Sequence, residues 1–518
     1  MKICVRKYIL LIMLAFAFLR SNSQVTVTNP GNATPALAAT YTSLANAITA
    51  LNAVTTFSGI VTIAVNPSNP QAAPAGGYVI SFTAATTATK TVVIKGNNNV
   101  VVASNALTAG SLTDGIFKIV GCDFVTIEDF LIRENPSNTT TALATNNMTE
   151  WGIAILRVSI VAGAQNNIIQ NNNIQLNRTY ANSFGIYCNS NHLAGAPTVA
   201  SNPTTAAGAN SGNSFLSNTI SNVNCGIAII GGTTASIMDI NNVIGASSLT
   251  GNTISNWGGL SRTAAFAGVP SFGCFAVLNV NQKTDRVSFN TITSAALSGS
   301  SLSVWGILKT YNTEPTGTFS SNITSNVITL TSSFSSGILE GIRSEGISAL
   351  ATSTININSN RFQGMSVNAI SSTEITGIYN QSNCGTLNMN SNIFRSTSSA
   401  TGSFTAINNL GTVQTALSIN SNQIGDASGN AISFTSAPAA GTTVYGIRSQ
   451  APGSNASLNI NSNNFQGFLQ TVNGARNYTF IDYNHAPTTA TTANINNNTF
   501  TNISLNTGGT VVFINRQG

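Results

Sequence analysis

The amino-acid sequence predicts an all-β fold, a right-handed parallel β-helix (solenoid) with an N-terminal capping helix. Three observations predict it. One motif recurs along most of the chain, each repeat holds short strand-like runs, and polarity is carried by neutral residues. The motif is an apolar residue, any residue, usually a small or polar residue, Asn, any residue, then Ile or Phe. Its Asn falls at Asn172, Asn218, Asn252, Asn290, Asn326, Asn360, Asn392, Asn422, Asn463 and Asn498. The leading apolar position runs from Ile169 through Phe215, Leu249 and Val287 to Ile495, and the trailing one from Ile174 to Phe500. The mean spacing is about 36 residues, the range of supersecondary repeats that stack on their neighbours.

A second mark lies upstream of most motifs. Gly-Ile occurs at Gly152-Ile153, Gly185-Ile186, Gly226-Ile227, Gly306-Ile307, Gly341-Ile342, Gly377-Ile378 and Gly446-Ile447, with Ala406-Ile407 and Phe480-Ile481 in the same place. Each repeat thus reads as a Gly-Ile strand, a second strand, a turn at Asn and a third strand. Alternation such as Asn356-Ile357-Asn358 turns one side chain inward and its neighbours outward. Strands this short need lateral partners, and coils stacked about 4.8 Å apart supply them, like residue above like. The Asn is expected to take the left-handed conformation at the bend and to bond through its amide to the Asn of the next coil. Helical repeats of similar period are excluded, because Asn, Ser, Thr and Gly are poor helix formers. No Trp-Asp-like signature marks a β-propeller.

Composition agrees. Charged residues make up 7% of the chain and apolar ones 42%, against roughly 25% charged in a typical soluble domain. Neutral side chains can form ladders without desolvating a charge. The net charge of +6 rests on 20 thinly spread Lys and Arg residues. With no basic run, nucleic acid is not an expected partner.

Three segments are expected. Residues 1–23 read as a signal peptide, with Lys2, Arg6 and Lys7 ahead of an apolar run from Tyr8 to Leu19. That run is too short to span a bilayer as a helix, and no later stretch is apolar enough to do so. Residues 24–135 read as the N-terminal cap and first coils. Tyr41 to Leu51 is the one convincing helical stretch, with Leu44, Ala47, Ile48 and Leu51 on one face. Residues 136–518 read as the repeat array. Thr510 to Ile514 resembles the start of a further repeat, so the natural product is expected to continue into more coils and a cap.

Residues 41–135 resemble the start of pectin-lyase-like β-helix proteins. The resemblance rests on the capping helix, on Gly59-Ile60-Val61-Thr62-Ile63, on Thr91-Val92-Val93-Ile94-Lys95-Gly96 and on Phe124-Val125-Thr126-Ile127-Glu128-Asp129-Phe130. The later repeats are similar to the generic repeat of that superfamily. The Ser/Thr/Asn-rich style, together with the leader, looks like large surface proteins of Gram-negative bacteria, with adhesin-like β-helix repeats. The resemblance implies the fold, whereas the superfamily spans lyases, hydrolases, adhesins and phage tailspikes.

Catalysis in the lyases and hydrolases of that superfamily needs several acids converging on one face. The 14 acids here are scattered. Asp123, Glu128, Asp129, Arg133 and Glu134 form the densest group and read as solvated turn charges. Glu340, Arg343 and Glu345 flank a Gly-Ile strand and read as a cross-strand ion-pair group. Arg343 and Arg448 share one place in Gly-Ile-Arg. Asp285-Arg286 and Asp482 with His485 read as isolated pairs, and His192 and His485 as surface-loop residues. Trp151, Phe184, Trp305 and Tyr445 each precede the Gly of a Gly-Ile strand. They imply an aromatic column that binds sugar if exposed and is packing if covered; the same choice applies to Trp257. Cys122, Cys188, Cys225, Cys274 and Cys384 have no metal-ligand spacing and read as small core fillers; a disulfide between two of them is the alternative in an oxidising compartment. No catalytic residue, metal or cofactor is assigned. The expected function is a secreted or cell-surface scaffold for adhesion or glycan binding, with a polysaccharide partner; the alternative is a polysaccharide lyase or glycoside hydrolase.

Overall fold

In the computed structural model, described residues run from 23 to 517, apart from 299–300, 335, 348–351, 369–372, 401, 428–430, 439–440, 451–455 and 486–491. Residues 1–22 of the leader lie outside them. The chain winds as a parallel β-helix. One sheet has 13 strands in strict chain order, from Tyr78–Ile80 to Val511–Gln517, and a 29-stranded sheet holds most of the remaining strands. One coil shows the plan: Trp151–Arg157 lies in the first sheet, and Ile168–Gln170 and Asn173–Gln175 in the second. Each pairs in parallel with its counterpart one coil on, as Ile153 with Ile186, Ile169 with Phe215 and Ile174 with Ile220. Among the described residues no helix is long and apolar enough to cross a membrane.

The N-terminal end is closed by a helix and a reversed strand. The helix spans Leu44–Asn52 and buries Leu44, Ala47, Ile48 and Leu51 in the main core. It starts later than the sequence pattern because Thr40–Tyr41 is a strand and Ser43 is the N-cap, its hydroxyl accepting from the Asn46 amide at 3.2 Å. Val25–Thr28 runs antiparallel to Val61–Val65, covering what is otherwise an open strand edge.

The ten motif asparagines form one unbroken, buried ladder up to its last rung. Asn172 donates its backbone N–H and its amide to Asn218 Oδ1 (3.1 and 3.2 Å), and the pattern repeats rung by rung to Asn498. Each amide also donates to a backbone carbonyl one coil back, as Asn360 to Ile323 O at 2.8 Å. The left-handed conformation falls one residue earlier than the sequence reading placed it. Asn171, Ser217, Ser325, Ser359, Ser391, Ser421, Ser462 and Asn497 have φ between 54° and 59°. The bend is made by that residue, which is Phe289 (φ 60°) at the Asn290 rung, and this leaves the next Asn free to aim both donors along the axis.

One assignment of the repeat is corrected. Leu249 is 89% exposed. Its place in the core is taken by Ile244, in register with Phe215 and Val287. Residues 245–251 form a loop between the strand and the ladder Asn, so counting back three residues from Asn252 lands on loop.

The coupling of Gly-Ile to Asn-x-Ile has a steric cause. A Cβ on Gly185 would lie 2.4 Å from Ile220 Cγ2, and one on Gly377 2.2 Å from Phe394 Cε1. At the Gly positions the Ile or Phe after the ladder therefore packs directly onto the backbone across the coil, and a side chain added there would have to displace it. All five described cysteines are buried and free. Burial pushes the Cys122, Cys274 and Cys384 thiols up to about 12, which keeps them un-ionised and poorly reactive, in keeping with small core fillers.

Candidate functional site

The outer face of the 13-stranded sheet divides into two halves. In the first, a loop at 258–273 lies across the strands and encloses a second apolar cluster. Trp151, Phe184, Tyr187, Phe275, Leu278 and Trp305 are buried there with Ala264, Phe266 and Val269 of the loop. Trp151 stacks on Tyr187 with centroids 5.0 Å apart, and Phe266 meets Phe184 edge-on at 5.4 Å. Asn182 pins the loop by accepting from the Thr263 and Ala264 amides. Arg262 packs over the Phe275 ring and donates to Gly273 O at 3.0 Å. The aromatic column foreseen at Trp151, Phe184 and Trp305 is thus packing, and Trp257 lies in the main core.

In the second half two outward rows carry mixed chemistry. Strand register aligns Leu308, Arg343, Tyr379, Asn408, Arg448 and Asp482 in one row. The neighbouring row runs Trp305, Glu340, Thr376, Thr405, Tyr445 and Thr479. Arg343 lies over the Tyr379 ring at 4.5 Å and Arg448 over Tyr445 at 4.9 Å. Arg343 bonds Glu340 at 3.1 Å and Glu345 at 2.6 Å, and Glu340 accepts from the Trp305 indole at 2.7 Å. Burial works against the Arg343 charge, yet the two carboxylates hold its pKa above the usual value. Burial raises the Glu340 pKa, opposed by Arg343. Asp482 accepts from Gln450, Asn515 and Gln517, with Arg448 at 3.7 Å. Arg343, Tyr379, Tyr445 and Arg448 remain partly exposed. Arg343 and Arg448 do share this face three coils apart, with Tyr379 one coil on from Arg343 and Tyr445 in the same coil as Arg448.

The early acids do not converge. Lys95 holds Glu128 at 3.1 Å and Asp129 at 2.9 Å; Asp123 accepts from the Gln165 amide, and Arg133 donates to Asn173. Glu134 turns away to Thr149 and Asn138. Two further acids, Asp114 and Glu150, went unremarked in the sequence. They stack on adjacent coils just ahead of Gly115 and Trp151, and Glu150 accepts from Tyr180 and from the Asp114 amide. Burial raises the Asp114 carboxyl to about 6 and lifts that of Glu150 well above normal. Their only sequence signal is an acid directly before a strand start. Among the described residues no three His, Cys, Asp or Glu side chains are placed to hold a metal.

Four sequence expectations are overturned by burial. His192 is fully buried, with Nε2 3.0 Å from the Tyr187 hydroxyl, and desolvation lowers its pKa to about 4. His485 is 6% exposed, and burial lowers its pKa. Asp285 is not an isolated surface acid but lies inside the solenoid against Lys309, while its neighbour Arg286 packs over Phe289. Asp482 is buried among the donors named above. The loops and stacked coils that cover these residues are non-local, so chain position alone did not reveal their burial.

Comparison of the chain with protein-family models, with curated proteins and with solved structures found no match. The class is therefore set by architecture alone, an all-β parallel β-helix with one outer face half covered and half open.

Proposed function

We propose that this chain is a secreted or cell-surface β-helix scaffold that contacts a glycan without catalysis, through the open rows around Arg343, Tyr379, Tyr445 and Arg448. The observation that carries the reading is the pairing of a guanidinium with a tyrosine ring at two places along one partly exposed, straight face. Rings held in this way offer a sugar an apolar platform with polar donors beside it. Glu340, Glu345 and Asp482 are engaged by Arg343, Trp305 and amide donors, which argues against their serving as a free acid and base pair flanking a bond to be cleaved. Secretion rests on the leader read at residues 1–23.

The test is a glycan array read beside a degradation assay on acidic polysaccharides. Binding that falls about tenfold in both Tyr379→Ala and Tyr445→Ala, at unchanged thermal midpoint, supports the reading. Release of new reducing or unsaturated ends that follows the protein through purification would establish the lyase or hydrolase reading instead.

A further inference from the structure

The inward row of the 13-stranded sheet changes character partway along. It runs Ile119, Ile155, Cys188 and Ile229, then Asn279, Lys309, Ser344, Asn380, Asn409 and Ser449. At the change, Asn279 and Lys309 are direct register partners on adjacent strands. Asp285 reaches them from the second sheet. Lys309 Nζ is 2.5 Å from Asp285 Oδ1 and 3.0 Å from Asn279 Oδ1. Asn279 Nδ2 donates to Asp285 Oδ2 at 2.8 Å, which fixes the amide orientation. All three residues are at most 1% exposed, and the Lys309 ammonium sits 4.7 Å from the Tyr311 ring centroid.

We propose that Lys309 and Asn279 join in an intramolecular amide bond, with Asp285 as the proton carrier. Lys309 Nζ passes a proton to Asp285 and attacks Asn279 Cγ, forming a C–N bond. Asp285 returns that proton to the departing amide nitrogen and takes the second from Nζ, the old C–N bond breaks, and ammonia leaves with Asp285 protonated. Donor and acceptor sides balance with no oxidant or co-reactant. The arrangement favours the step in three ways: the nucleophile lies against the amide it attacks, the acid is bonded to the leaving nitrogen, and exclusion of water limits competing hydrolysis. Desolvation also lowers the Lys309 pKa, which favours the neutral amine. The product staples two consecutive coils covalently at the point where the apolar interior row ends.

The reading is independent of glycan binding and is tested by mass spectrometry of the full chain. Trypsin does not cut after an acylated lysine, so a bonded protein yields residues 263–283 joined to 287–343 as one branched peptide, lighter by one ammonia. Its appearance, with fragments placing the link at Lys309 and Asn279, and its absence from Asp285→Ala, are the expected results. Recovery of 263–283 and 287–309 as separate unmodified peptides overturns the proposal. So does a link from Lys309 to Asp285 with loss of water. Persistence of the link in Asp285→Ala removes Asp285 from its role. The wild-type peptides decide the bond even where that variant does not fold.

Discussion

At the residue scale the ladder asparagines and the buried acids make opposite demands. Asn360 and Asn392 are fully buried, and each amide spans two coils by donating backward to a carbonyl and forward to the next Asn. Replacing either by Leu strands these partners, and a loss of roughly 1–3 kcal/mol in chemical denaturation is expected. Leu at Arg361 or Ile393, whose side chains are partly exposed, is expected to cost less; a reversed ranking would contradict the ladder. Asp239 makes the other demand. Burial raises its pKa from 3.8 to about 7, against hydrogen bonds from Ser190, Gln282 and the Asn210 amide. Between those values the folded chain holds a proton that the unfolded chain has released. The stability tied to this group is therefore full below the unfolded pKa and is lost as pH rises through about 7. His192, lowered to about 4, has the opposite slope in an overlapping window, so the wild-type curve mixes the two. The difference between wild type and Asp239→Asn separates them: the variant should gain on wild type in thermal midpoint from about pH 4 to about pH 8. Parallel curves would mean that Asp239 is not titrating there.

At the element scale the fit between Gly and the aromatic or aliphatic residue across the coil is the most specific constraint. At Phe362, Phe394 and Phe465 the facing position is Gly, whereas Phe500 meets Phe480 edge-on at 5.7 Å; where Ala stands, at Ala276 and Ala406, the register-matched residue is Ile292 or Ile424. Gly377→Ala brings a Cβ within 2.2 Å of Phe394 and 2.6 Å of the Ala406 carbonyl. It should destabilise by about 1–3 kcal/mol. Adding Phe394→Ile recreates the pairing found one coil on, so the double variant should lose less than the two single variants combined. Additive losses would show that the carbonyl, not the ring, sets the limit. This constraint was half legible in the sequence. Gly-Ile and Asn-x-Ile both stood out as repeats, and the fold followed from them. That one exists to make room for the other required the distance across the coil. Leu249 shows the converse failure, since it matched the spacing while lying in a loop.

At the scale of the whole molecule the open face and the polar interior could not be read from the chain. Asn and Ser are so abundant that an inward Asn looks like an outward one, and the loop at 258–273 buries Trp151 more than a hundred residues away in sequence. Together they make the solenoid uneven. Coils from Trp151 to Val280 have an apolar interior row until Asn279 and a second apolar layer outside the sheet, so their strands are packed on both faces. Coils from Glu374 to Asn484 have Asn380, Asn409 and Ser449 inside and an open row outside. Apolar burial is the larger stabilising contribution, and in a solenoid each coil depends mainly on its own packing and that of its neighbours. Opening should therefore be local and graded. Hydrogen exchange resolved by peptide should show the strands at Trp151–Arg157, Phe184–Leu193 and Cys225–Ile230 as the slowest. Glu374–Asn380 and Phe404–Asn409 should be faster. Phe266→Ala, which removes the centre of the covering loop, should raise exchange in the first group and leave the second unchanged. Uniform protection along the array, or an effect of Phe266→Ala that reaches the strands beyond Glu374, would mean that the coils unfold as one unit and that the covering loop does not set the difference.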